Sequence, residues 1–171
     1  MNNEFTPNTD NQINNDEVIS TLNGLIETCR DGQQGFKEAA EGVGRSDLKT
    51  VFYEYSQQRA AFVGDLQALV QTLGGDPENS GSVVGALHRS WINIKAAVTG
   101  KDDTAILDEA ERGEDVAKSA YKNALEIKLP SHILSTVQAQ YSKVQEAHDT
   151  VKALRDAAKA DIKTNTASTR F

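Results

Sequence analysis

The chain has 171 residues, 38% of them hydrophobic and 25% charged, with one cysteine and a formal net charge of −7. A domain of this length buries roughly 70% of its unfolded surface. The lone cysteine excludes a disulfide framework and a cysteine-built zinc site, and the acidic balance argues against a nucleic-acid groove. No apolar run approaches the ~18 residues of a membrane helix, and the amino terminus lacks a basic-then-apolar leader, so a soluble, cytoplasmic protein with no membrane partner is expected.

Residues 1–14 (MNNEFTPNTDNQIN) have almost nothing to bury and read as a disordered N-terminal arm. A first long helix is expected over 16–43, on the stripe Val18, Leu22, Leu25, Cys29, Phe36, Ala40 and Val43, with Gly42 and Gly44 ending it. Ser46 is placed to cap a second long helix carrying Leu48, Phe52, Tyr55, Phe62, Leu66, Val70 and Leu73, which stops at the breaker Gly74-Gly75-Asp76-Pro77. A shorter helix over 82–98 shows Val84, Leu87, Trp91, Ile94 and Val98, with Trp91 packing it onto the bundle and His88 and Arg89 toward its edge.

Asp102 or Asp103 caps a third long helix with Ile106, Leu107, Ala110, Ala117, Tyr121, Ala124 and Leu125 on one side. Pro130 then starts a fourth, with Ile133, Val137, Tyr141, Val144, His148, Val151 and Ile162. The bundle domain spans 15–162, and 163–171 (KTNTASTRF) reads as a flexible C-terminal tail. The first and second long helices, and the third and fourth, are joined by a few residues, so each pair is an antiparallel hairpin. The second and third are joined by roughly 25 residues, enough to run the bundle's height at ~1.5 Å per residue. The fold class expected is therefore all-α: a ferritin-like four-helix bundle of two antiparallel hairpins, with a short crossover helix between the second and third bundle helices.

Ferritin-like di-iron proteins hold their metals at mid-height with inward carboxylates and Glu-x-x-His pairs. At ~100° per residue, the polar side chains falling inward near the helix centres are Cys29 and Gln33, Arg59, Glu114 and His148. Glu27, Asp31 and Glu38 are expected to face the opposite side of the first helix. Where Glu-x-x-His would fall, the second helix reads Arg59-Ala60-Ala61-Phe62 and the fourth Gln145-Glu146-Ala147-His148. One inward carboxylate and one imidazole are too few for two irons, and an arginine repels a dication.

The first reading is thus a central polar layer in which Arg59 and Glu114 form a buried ion pair, with His148, Gln33, Tyr55 or Tyr141 completing its hydrogen bonds. No catalytic residue and no cofactor is assigned. The alternative is a protein binding iron or another divalent metal, or a redox protein, on Glu114 and His148 with Glu111 and Gln145. A third is a small-ligand pocket between the crossover helix and the bundle. The cluster around Glu109, Glu111, Glu114 and Asp115 reads as a solvated face countered by Arg112. Gly113, rare in a helix interior, gives room for a close helix contact or for Arg59. Cys29, on the core stripe with no obvious basic neighbour placed to lower its pKa, reads as an inert buried thiol. Trp91, Leu69 and Leu154 are apolar positions that a homodimer would cover.

The segments at 22–32 (LNGLIETCRDG), 35–41 (GFKEAAE), 73–77 (LGGDP), 85–91 (GALHRSW), 111–115 (ERGED) and 147–149 (AHD) together resemble a bacterial four-helix-bundle family of unknown function within the ferritin-like superfamily. The resemblance covers roughly 16–158. It implies the fold, a bacterial cytoplasmic setting and a stress-associated role, and brings no activity or metal. Ferritins and rubrerythrins are more distant; their ligand positions carry over to Glu114 and His148 alone.

Overall fold

The computed structural model describes residues 13–77 and 91–169, and among these it contains helices and no strand. The helices are α1 (Asn15–Gly42), α2 (Ser46–Thr72), α3 (Ile94–Thr99), α4 (Asp103–Ala124) and α5 (Ser131–Ser168). α1 packs along α2 and α4 along α5, while α1 also lies against α4, α2 touches α5, and α3 sits on α1 and α4. None of the described helices is long and apolar enough to cross a membrane.

Helix ends follow local chemistry. The Asn14 side chain accepts from the amides of Asp16 and Glu17 at 3.1 and 3.2 Å, and Asp102 accepts from the Thr104 amide at 2.9 Å. Gly74, at φ +77°, ends α2; its amide reaches the Gln71 carbonyl and that of Gly75 reaches Val70, both at 3.0 Å. α5 starts directly after Pro130, whose ring pre-sets the backbone there. Ser46 does not cap α2 as the sequence suggested. The Asp103 carboxylate instead accepts from the Gly44 and Arg45 amides at 2.8 and 3.2 Å, tying the α1–α2 corner to the start of α4.

Two further expectations change. α5 continues to Ser168 through residues with exposed side chains, where a flexible tail was expected from 163; once a helix is nucleated, each added residue gains a backbone hydrogen bond. The helix expected over 82–98 falls largely outside the described residues, as do His88, Arg89 and the arm over 1–12. Within the described part, Trp91 precedes a turn and the helix begins at Ile94.

The core has two halves. One gathers Leu22, Ile26, Leu66, Tyr121, Ile133 and Val137; the other gathers Phe36, Phe52, Trp91, Ile106, Leu107 and Val151. Trp91 is buried in this chain's own core, and Leu69 and Leu154 are half-buried against it.

Trp91 acts as a wedge. A Cβ built on Gly35 of α1 would lie 2.1 Å from the nearest indole atom and one on Gly113 of α4 2.3 Å, both far inside van der Waals contact, and the Phe36 ring meets the indole edge-on at 5.1 Å between centroids. The glycine that makes room for Arg59 is Gly32, whose Cβ would lie 3.3 Å from the Arg59 Cγ. Gly113→Ala is therefore expected to lower stability by about 1–3 kcal/mol through overpacking, despite alanine's better helix propensity. Gly64→Ala, with nothing within 4 Å of the new methyl, should raise stability by roughly 0.5–1 kcal/mol. Urea unfolding of the two variants checks the opposite signs.

Candidate functional site

The centre of the bundle is polar and closed. Arg59 of α2 and Glu114 of α4 are each 1% exposed, and Nη2 of Arg59 donates to Oε2 of Glu114 at 2.5 Å. The guanidinium also donates from Nη1 to Gln58 at 2.5 Å. It lies 5.6 Å from the Phe36 ring centroid and 5.5 Å from that of Phe62, one ring from each half of the core. Burial pushes the Glu114 carboxyl up, and the adjacent Arg59 cation opposes that shift.

Beside this pair runs a short hydrogen-bonded chain. Tyr121 donates to Oε1 of Gln140 at 2.7 Å, and its oxygen lies 3.1 Å from the Cys29 sulfur. With the tyrosine proton directed at Gln140, the thiol is the donor to Tyr121. Burial raises the Cys29 thiol from an ordinary 9.0 to about 11, outweighing the pull of the nearby Arg59 charge. The sulfur stays protonated at neutral pH and is no nucleophile.

A second arrangement lies on the α4–α5 seam. Glu111 and Asp115 stand one turn apart on α4 and face His148 of α5; ligand atoms from the three lie within 4.8 Å of one another. Nε2 of His148 is 2.8 Å from an Asp115 oxygen and 3.9 Å from Oε1 of Glu111, while Nδ1 is 3.1 Å from Asp149. That contact holds the Asp149 carboxyl below the usual range. Further along the seam, Arg155 pairs with Oε2 of Glu111, and Lys159 pairs with Asp108 at 2.8 Å.

The sequence-predicted residues therefore separate. Cys29, Arg59 and Glu114 meet at the centre. His148 is buried, but its ring contacts belong to the seam, and Gln145 is half-buried beside Asp115 and Tyr141. Gln33 is exposed, against expectation: the inward line from Cys29 passes through Gly32 and Phe36, and only the Gln33 backbone carbonyl takes part, accepting from Ser56 at 2.8 Å. Tyr121 and Gln140 complete the centre in place of the predicted Tyr55 or Tyr141. The signal was available, since Tyr121 lies on the apolar stripe two turns from Glu114.

The acidic cluster is only partly a solvated face: Asp115 is exposed. Glu109, Glu111 and Glu114 are all buried, with Glu109 paired to Arg112. Glu27, expected to point away, is buried and bonded to Arg30 at 2.9 Å. In both helices the cause is the same: α1 and α4 each pack against more than one neighbour, so the buried stripe is wider than a two-helix hairpin requires. A cleft of about 310 Å³ does lie between α1 and residues 91–95, where a ligand pocket was considered, and a shallow groove of about 500 Å³ lies between α1 and α4.

This fold is ferritin-like. The chain resembles the crystal structure of a two-domain protein from Anabaena variabilis ATCC 29413 containing DJ-1/ThiJ/PfpI-like and ferritin-like domains, with a TM-score of 0.70 and 15% identity over 86% of this chain. The chain spans 41% of that protein's length. Residues 17–127 match the family described as domain of unknown function DUF2383, and the chain belongs to that family. No curated protein matches it.

The raised thiol has a thermodynamic consequence. Its folded pKa lies above the unfolded one, so its contribution is fully present below pH 9.0 and is lost as pH rises through about 11. Relative to Cys29→Ser, the wild type should lose about 2–3 kcal/mol over that window. Urea unfolding of both proteins at pH 8 and at pH 11 reads it out.

Proposed function

We propose that this protein is a non-enzymatic ferritin-like scaffold whose central polar layer is architectural. The observation that supports this reading is the ion pair between Arg59 and Glu114, buried at mid-bundle, where ferritin-like di-iron proteins place their metals. A cation at the bundle centre opposes a dication by charge, and it engages the inward carboxylate that a metal would use. The protonated Cys29 and the hydrogen-bonded Tyr121 leave no activated nucleophile beside it. On its family resemblance, the setting of this scaffold is the bacterial cytoplasm under stress, where it acts by holding a partner rather than by turning over a substrate.

A metal on Glu114 and His148 together is disfavoured, because the two side chains serve different neighbours: Arg59 inside the bundle and the carboxylates of the α4–α5 seam outside it.

Anaerobic loading of the untagged protein with Fe(II) tests the proposal. Uptake of two irons per chain, or oxygen-dependent Fe(II) oxidation faster than in buffer, would overturn it. The architectural role makes a further prediction. Arg59→Met alone leaves Glu114 buried and unpaired, at a cost of about 3–5 kcal/mol, whereas Arg59→Met with Glu114→Leu should recover most of that loss. Denaturant titration of the single and double variants measures the recovery.

A further inference from the structure

We propose that Glu111, Asp115 and His148 form a mononuclear site for a divalent transition metal, zinc above all, on the α4–α5 seam. This inference is independent of the scaffold reading, since it uses none of the residues at the bundle centre.

The argument rests on the surroundings of one imidazole. The His148 ring is wedged between two carboxylates, with Asp115 2.8 Å from Nε2 and Asp149 3.1 Å from Nδ1. The imidazolium donates to both, whereas a neutral imidazole carries one N–H and can donate to only one of them. When Nδ1 donates to Asp149, Nε2 presents its lone pair to an anion. A cation between Nε2 and the facing oxygens satisfies all of these acceptors at once.

The remaining geometry agrees. Glu111 and Asp115, four positions apart on α4, bring two oxygens to the side of the ring where Nε2 points, and all three ligand atoms lie within 4.8 Å of one another. Bonds of about 2.0–2.1 Å to a tetrahedral zinc place neighbouring ligand atoms roughly 3.3 Å apart. The 2.8 and 3.9 Å separations seen here bracket that value. Asp149 supplies the outer carboxylate that metal-bound histidines commonly hold through their second nitrogen. Three protein ligands of nitrogen and carboxylate type leave the fourth position to water, and nitrogen with oxygen donors favours zinc over calcium or magnesium.

Arg155 is the competitor. It occupies Oε2 of Glu111 but leaves Oε1 facing His148. The arginine is also neutralised by Asp156 at 2.9 Å and by Asp108 at 3.8 Å, so its charge is shared among three carboxylates.

The test is calorimetric titration of ZnCl2 into the untagged, EDTA-stripped full-length protein. One zinc per chain is expected. Asp115→Asn and His148→Gln should each weaken binding at least about 100-fold, and Asp149→Asn about 10–100-fold. Asp115 has an exposed side chain, so its variant keeps the fold even if the change at the buried His148 does not. Arg155→Gln, which removes the competing cation, should tighten binding. Absence of stoichiometric uptake, or unchanged affinity in Asp115→Asn, would overturn the site and leave the cluster an ion-pair ladder. Cobalt(II) in place of zinc should give the intense visible absorption of tetrahedral coordination, and Asp115→Asn should abolish it; an octahedral spectrum would overturn the assigned geometry.

Discussion

A guanidinium removed from water sets the terms for the middle of this bundle. Desolvating such a cation costs several kcal/mol, and the cost is met only if a counter-charge and hydrogen-bond acceptors are held close. Glu114 supplies the charge from α4, Gln58 an acceptor from α2, and Phe36 and Phe62 present ring faces from α1 and α2. Gly32 leaves the space the arginine stem needs. Three helices therefore share one register, because sliding any of them by a turn would strand a buried charge. Ion pairs of this kind select among packings more than they add net stability.

One short stretch of α4 serves three neighbours at ~100° per residue. Gly113 admits the Trp91 ring, Glu114 turns inward to Arg59, and Glu111 and Asp115 turn toward α5. Trp91 lies against glycines of two helices, which locks the segment leading into α3 onto α1 and α4. Side chains that look like one acidic run along the chain thus belong to different environments. The closed bundle centre holds the Arg59–Glu114 pair away from solvent, while the seam sets the buried His148 between exposed Asp115 and Asp149.

How much of this was readable from the chain differs by level. Helix spacing, the glycine and proline breakers and the short corners located the four long helices to within a few residues, apart from the last six residues of the fourth, and the all-α ferritin-like class followed. The pairing of Arg59 with Glu114 was also readable, since each is the polar residue on its helix's apolar stripe. Gln33 was misplaced because one stripe cannot say how wide the buried sector is. Glu27, Glu109 and Glu111 were assigned to the solvated side for the same reason.

Local chemistry therefore determined where most of the long helices begin and end, which stripe faces inward and that the centre carries a charged pair. These depend on backbone conformational preference and on a periodicity of 3.6 residues, both properties of contiguous sequence. Only the tertiary structure decided that Gly113 accommodates a tryptophan, that Tyr121 and Gln140 complete the centre with Cys29, and that His148 lies among Glu111, Asp115 and Asp149. Each of those depends on how far one helix is rotated and shifted against another. That offset is set by packing among distant side chains and has no counterpart in the spacing along a single helix.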